Sequence, residues 1–215
     1  MFAFVIITVE RQAICTMNKI LFINACVRPN SRTKQLAECV LNRLNGSIEE
    51  VNLERENIQP LNWTSLQARD AFVQAQDFSA PMFRYARQFA AADEIVIAAP
   101  YWDLAFPSTV QSSVKVYFES VPVLGLTFRY TPEGIPAGLC QAKRILYVTT
   151  AGGPVNGLGM GYAYVKALAQ TFYGIPEILG FKAENLDVVG ADVAAILEKA
   201  KQEIACSTLE APPLQ

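Results

Sequence analysis

The sequence predicts an α/β protein built on a doubly wound, five-stranded parallel sheet, in strand order 2-1-3-4-5 with helices on both faces. Three observations carry that prediction. Short apolar runs alternate with stretches of helical periodicity along the chain. The strongest of these runs are rich in β-branched residues and apolar on both faces, as the central strands of a parallel sheet are. No internal repeat, linker or low-complexity break divides the chain, so residues 17–206 are expected to form a single domain. Residues 1–16 are then an N-terminal extension and residues 207–215 a flexible tail.

The elements follow in order. Phe2 to Val9 is apolar, but eight residues cannot span a bilayer and no basic residue precedes them. The run therefore reads as neither a membrane span nor a signal peptide. Met17, followed by Asn18-Lys19, marks the start of the core fold, the rival reading of residues 1–16 being an added edge strand. Strand one is Ile20 to Ile23, and a helix follows with its stripe at Leu36, Val40, Leu41 and Leu44. Ile48 to Leu53 is a weaker, alternating second strand. Phe83, Ala86, Phe89 and Ala90 mark the next helix, and Glu94 to Ala99 the third strand. Val110, Val114, Tyr117 and Phe118 form another stripe before strand four, Arg144 to Thr149. Tyr162, Val165, Leu168, Ala169 and Phe172 precede a fifth strand lying within 178–189. Val193, Leu197, Ala200 and Ile204 close the fold, and Ser207 to Gln215, with Pro212-Pro213, reads as a frayed end.

Composition removes several function classes. The 215 residues include no histidine, so there is no Ser-His-Asp or Cys-His pair, no zinc helix built on two histidines and no iron facial triad. With 18 basic and 20 acidic residues the net charge is −2, which predicts no nucleic-acid partner. The five cysteines, Cys15, Cys26, Cys39, Cys140 and Cys206, are odd in number and contain no Cys-x-x-Cys. They point to a reducing, cytoplasmic setting rather than to a disulfide framework or a zinc site.

In a sheet of this kind ligands bind beyond the carboxyl ends of the strands. The loop after strand one, Asn24 to Thr33, runs straight into a helix. Its hydroxyls at Ser31 and Thr33, the guanidinium of Arg32 or Arg28 and the unpaired N–H groups of the first helical turn suit a phosphate. The bland alternative is ordinary N-capping by Asn30 or Ser31. The loop after strand three, Ala99 to Ser108, is unusually aromatic. Pro100, Tyr101, Trp102, Asp103 and Leu104 would border a flat ring whose polar rim bonds the backbone, or would fold onto the next helix or a subunit contact. After strand four, Thr150, Ala151, Gly152 and Gly153 permit close backbone approach to a ligand, or make only a tight turn.

Cys26 with Arg32 and Thr33 also reproduces the spacing of a cysteine-phosphatase cradle. Against that remote reading, Pro29 removes one cradle donor and the chain contains no Asp-Pro dipeptide to serve as the general acid. A small buried residue is the commoner fate of such a cysteine.

A phosphate pocket at strand one and a planar-ring pocket at strands three and four together describe flavin mononucleotide (FMN). These loops, together with Leu126-Thr-Phe-Arg-Tyr-Thr131 and Gly134, resemble the flavodoxin-fold NAD(P)H oxidoreductases, which include FMN-dependent azoreductases and quinone reductases. The likeness runs from about Asn18 to Ala205. It implies a flavodoxin-like fold, FMN phosphate on Ser31, Arg32 and Thr33, the ring against residues 101–104 and its pyrimidine edge near 150–153. It implies a ping-pong enzyme in which NADH or NADPH reduces the flavin, which then reduces a quinone, azo compound or similar flat acceptor. The absence of histidine is harmless to such chemistry. The resemblance also implies a homodimer with sites at the interface. Residues 121–138 would form a lid or dimer contact in which Phe128 and Tyr130 cover the flavin or serve as loop anchors. Two departures stand out: Trp102-Asp103 replaces the usual Tyr-Asn, and Cys26 stands where a hydroxyl residue is common. The alternative within this fold is an FMN-binding electron carrier or regulatory protein that does not turn over nicotinamide, although such carriers tend to be strongly acidic.

Overall fold

The computed structural model describes residues 17–107 and 114–209. The expected extension at 1–16, Val110 of the helical stripe and the last six residues lie outside them. Five parallel strands form the sheet in the order β2-β1-β3-β6-β7. They are β1 (Lys19–Asn24), β2 (Ser47–Asn52), β3 (Glu94–Ala98), β6 (Arg144–Thr150) and β7 (Glu177–Ala183). The central strands are apolar on both faces because each face has its own core. Leu21, Ile23, Ile95, Ile97, Ile145 and Tyr147 pack with Phe89 of α3 (Arg84–Ala91), Tyr117 and Phe118 of α4 (Val114–Ser120) and Val165 of α5 (Gly159–Leu168). The alternate residues Ile20, Phe22, Val96, Ala98, Leu146 and Val148 pack with Leu36, Ala37 and Val40 of α1 (Arg32–Leu41) and with Ala200 and Ile204 of α6 (Val193–Cys206). Period-two alternation therefore feeds two hydrophobic layers at once. On the edge strand β2 only Val51 is buried, which is why its pattern is weaker in the sequence.

The expected order 2-1-3-4-5 counted five strands, whereas the described residues form seven. The two extra strands, β4 (Phe128–Tyr130) and β5 (Pro136–Gly138), pair antiparallel with each other and stand outside the sheet. Their turn is local chemistry: Gly134 takes φ +79° and donates its N–H to the carbonyl of Thr131 at 2.9 Å, with Pro132 and Glu133 between them. α2 (Trp63–Gln74) is a second unpredicted element. None of its residues is buried, so it has no apolar stripe to read. Its start is set by a capping box in which Asn62 and Ser65 satisfy each other's backbone N–H groups.

The hairpin packs against a π-type turn at Ala169–Tyr173 that ends α5. Gly138 makes this possible. A Cβ there would lie 2.1 Å from the Tyr173 carbonyl carbon and 2.2 Å from the Gly174 nitrogen, both backbone atoms that cannot swing aside. Gly138→Ala is expected to lower stability by about 1–3 kcal/mol through overpacking, read as a lower urea midpoint at unchanged m-value.

At the amino edge of the sheet, Glu94 of β3 stands opposite Arg144 of β6 and accepts from its Nε at 2.8 Å, with both side chains only 8% exposed. Arg144 also donates to the Leu209 carbonyl at 2.5 Å, and Arg43 holds Ser207 through its side-chain and backbone oxygens at 2.9 and 2.8 Å. Leu209 is 2% exposed. The expectation of a flexible tail from residue 207 is therefore corrected at 207–209: these residues are anchored by two arginines. Their sequence carries no periodicity that announces it.

Candidate functional site

A pocket opens at the carboxyl edge of the sheet, where the loops after β1, β3, β6 and β7 converge. The loop after β1 is organised by Asn24, which is buried. Its amide donates to Glu50 at 2.7 Å and its side-chain oxygen accepts from the Cys26 N–H at 2.9 Å. Ser31 closes the loop by donating its N–H to the Arg28 carbonyl and then caps α1, its Oγ accepting from the Lys34 N–H at 3.3 Å. Of the two capping residues the sequence allowed, Asn30 and Ser31, the structure uses Ser31. The first-turn N–H groups of Arg32 and Thr33 have no acceptor within an α-helix, and the helix dipole adds to their positive end. Thr33 is buried with its hydroxyl 2.6 Å from that of Thr150, tying the α1 start to the end of β6.

The loop after β3 supplies the aromatic wall. Tyr101 donates its N–H to the Thr150 carbonyl at 3.0 Å, extending the β3–β6 ladder past the sheet. Pro100, Tyr101 and Trp102 line the pocket, with Trp102 still 39% exposed at its mouth. Asp103 and Leu104 do not line it. Both take left-handed backbone angles, φ +47° and +71°, in a turn closed from Ala105 N–H to the Trp102 carbonyl at 2.9 Å. Two consecutive non-glycine residues in that region store strain beside the pocket. The turn sends the Leu104 side chain into solvent, 63% exposed, while its carbonyl accepts from Met160.

After β6, Thr150, Ala151 and Gly152 line the pocket whereas Gly153 does not. Gly153 serves through its carbonyl, in a zipper that the sequence did not reveal. Asn185, Leu186 and Asp187 donate their N–H groups to the carbonyls of Gly153, Ala151 and Gly152 at 3.1, 3.2 and 2.9 Å. That lays the β7 exit loop across the pocket, and Leu186 and Asp187 join its lining. The Asp187 carboxylate takes Arg32 Nη1 at 2.8 Å, and the same nitrogen reaches the Leu186 carbonyl at 3.4 Å. The available signal was positional: β7 ends on the same edge as its neighbour β6, so its exit loop had to approach the same ligand.

Residues 18–206 match a family model described as a flavodoxin-like fold. The chain belongs to the flavodoxin-like fold family. It is 35% identical over 203 residues to an FMN-dependent NADH:quinone oxidoreductase of Clostridium acetobutylicum, covering 87% of this chain and 98% of that one. Among solved structures it resembles an azoreductase of Bacillus anthracis (Sterne) with TM-score 0.75 and 24% identity, over 88% of this chain and 97% of that one, a likeness of fold alone. An FMN-dependent NADH-azoreductase of Bacillus anthracis (Ames Ancestor), solved in complex with FMN, gives TM-score 0.70 and 25% identity over 87% and 96% of the two chains.

Within this flavodoxin-like chain, Phe128 and Tyr130 do not line the pocket. Their hairpin leads directly into the start of β6 and packs on the turn that precedes β7, which places it at the amino edge, opposite the site. Phe128 is buried there against Phe172, with ring centroids 5.1 Å apart, and Tyr130 lies exposed beside it. The expectation that this pair covers the pocket is corrected: within this chain they anchor the hairpin.

Cys26 does not line the pocket either. It is buried beneath the loop with Sγ 3.8 Å from the Ala98 carbonyl, and burial, the main cause, pushes its thiol up to about 11. A phosphatase nucleophile needs a thiolate facing its ligand, and this group is neither. The sign for stability follows. Cys26 and Cys140 ionise near 9.0 when free but are raised by burial to about 11 and about 12. Above that free value the unfolded chain releases protons that the folded chain keeps. Stability is therefore complete below the free value and lost as pH rises beyond it, so the urea midpoint is expected to be lower at pH about 10 than at about 8.

Proposed function

We propose that the protein is an FMN-dependent oxidoreductase that takes electrons from NADH and delivers them to quinones, azo compounds or similar flat acceptors. The observation that carries the proposal is the convergence, in one pocket, of the α1 first turn with Ser31, Arg32 and Thr33 and an aromatic wall at Pro100, Tyr101 and Trp102. The relatives named for FMN, NADH and quinone support the same reading.

The residues present fit the cofactor. Hydroxyls, first-turn N–H groups and a guanidinium are what a dianionic phosphate needs. Gly152 carries no side chain, and the space a Cβ would take there is filled by the Asp187 carboxylate, which brings that group to the β6 loop beside the pocket. When bound, FMN would supply the hydride and electron transfer, for which side chains have no equivalent. In the proposal Ser31, Arg32 and Thr33 hold the phosphate, Tyr101 and Trp102 orient the ring and shield it from water, and Thr150 to Gly152 bond its polar rim. Asp103 and Leu104 shape the wall through their turn, and Gly153 through its tie to Asn185.

We further propose residues 17–206 as one FMN-binding domain acting in the cytoplasm as a homodimer. Among the described residues no helix is long and apolar enough to cross a membrane. Trp102, Leu104 and Met160 near the pocket, and Leu124, Tyr130, Ile135 and Leu139 on the hairpin segment, are exposed apolar side chains that a second subunit would cover. A lid role for Phe128 and Tyr130 then operates between subunits.

The test is the visible spectrum of the purified protein, supplemented with FMN if colourless, followed by anaerobic NADH and then NADPH. Flavin absorbance that bleaches with NADH and returns on adding a quinone is the expected result. Bound flavin that no nicotinamide bleaches would make the protein a carrier, and no flavin binding would overturn the proposal.

A further inference from the structure

Resting on the FMN reading above, we infer that Asp187 sets the affinity of the phosphate end of the pocket by occupying Arg32 and lowering the positive charge a dianion meets. The carboxylate is built into place. Its own N–H is held by the Gly152 carbonyl at 2.9 Å, and its neighbours Leu186 and Asn185 are tied to Ala151 and Gly153. Gly152 is what leaves room for it: a Cβ at that position would stand 2.4 Å from Asp187 Oδ2. Asp187 is thus fixed by backbone on one side and by Arg32, at 2.8 Å, on the other.

Charge makes the placement consequential. The charged side chains lining the pocket are Arg28, Arg32 and Asp187, two positive and one negative, for a net +1. A phosphate monoester approaches two negative charges at neutral pH. A carboxylate beside it repels it directly and also engages the guanidinium best placed, at the start of α1, to pair with it. When the phosphate enters, Arg32 exchanges one anionic partner for another, so part of the new contact is offset by the one lost. Removing the Asp187 charge while keeping its shape raises the lining to +2 and frees Arg32. Asp187 therefore acts as a positioning residue that keeps a phosphorylated flavin exchangeable rather than locked in.

The effect is modest because both side chains meet solvent, at 38% and 67% exposure. Asp187→Asn in the full chain, depleted of flavin, is expected to bind FMN about two- to fivefold more tightly, read by quenching of flavin fluorescence. Riboflavin, which lacks the phosphate, is expected to bind wild type and variant alike. The FMN gain should shrink as salt is raised, because screening weakens both the ion pair and the repulsion. It should also shrink in an Arg32→Gln background, where no guanidinium is left to release. A purely structural role for Asp187 would move both flavins together and leave the difference insensitive to salt. Should Asp187→Asn fail to fold, Asp187→Ser removes the same charge and is read in the same way. FMN binding by wild type with no gain in either variant, or an equal change for riboflavin, overturns the inference alone. Failure of wild type to bind FMN overturns the reading beneath it.

Discussion

Arg144→Leu is expected to lower the unfolding free energy by about 3–5 kcal/mol. The reason lies in what is left behind. Glu94 is 6% exposed on a central strand, in register with Arg144 and bonded to its Nε at 2.8 Å. Without the guanidinium its carboxylate stays in the sheet with neither water nor a cation to balance it. The Leu209 carbonyl loses its donor as well, so residues 207–209 lose one of the two arginines that anchor them. The double change Glu94→Met with Arg144→Leu removes both charges and is expected to recover most of the loss, because a buried pair contributes little beyond its own desolvation. Urea denaturation of the two single variants and the double variant forms the cycle that measures this. Equal losses in single and double variants would show that packing, not charge, dominates the position.

Ser31→Ala is expected to have the largest effect on the site, weakening FMN about ten- to a hundredfold, since a hydrogen bond to a charged group contributes about 1.5–3 kcal/mol. Ser31 has two roles at one atom. Its Oγ accepts from the Lys34 N–H and so holds the first turn of α1 in shape, and in the proposed complex its hydroxyl would donate to the phosphate. Alanine abolishes both roles, while threonine preserves them. Ser31→Thr is therefore expected to bind FMN within a few-fold of wild type. Riboflavin binding should change far less than FMN binding, since it makes no phosphate contact. Fluorescence titration with both flavins decides the matter, and a Ser31→Ala variant that binds FMN normally would remove Ser31 from the phosphate site.

The three central strands were legible because burial on both faces leaves no freedom in residue type: Ile20 to Ile23, Ile95 to Ile97 and Ile145 to Val148 each feed two cores, whereas the edge strands β2 and β7 are mostly unburied and read more weakly. The helices with a buried stripe were legible for the same reason. α2 was not, since a helix with no buried residue has no stripe and its start is written only in Asn62 and Ser65. The turn from β1 into α1 was legible because capping hydroxyls must lie next to the helix they cap. Asp187 was invisible. Nothing in Asn185-Leu-Asp-Val188 marks it, and its position depends on hydrogen bonds to a loop more than thirty residues earlier.

By itself the sequence determined which segments form the five-stranded sheet, which end of that sheet carries the pocket, and which residue types line its first and third loops. Those properties are local: hydrophobic period, capping and turn residues act over a few positions, and a parallel sheet then aligns its carboxyl ends on one edge. Only the tertiary structure decided the rest. It turned Asp103 and Leu104 away from the pocket, sent Phe128 and Tyr130 to the opposite edge, buried Leu209 and set Asp187 against Arg32. Each of these depends on which distant backbone atoms come within about 3 Å of one another, and hydrogen bonds and ion pairs at that range carry no period in the chain.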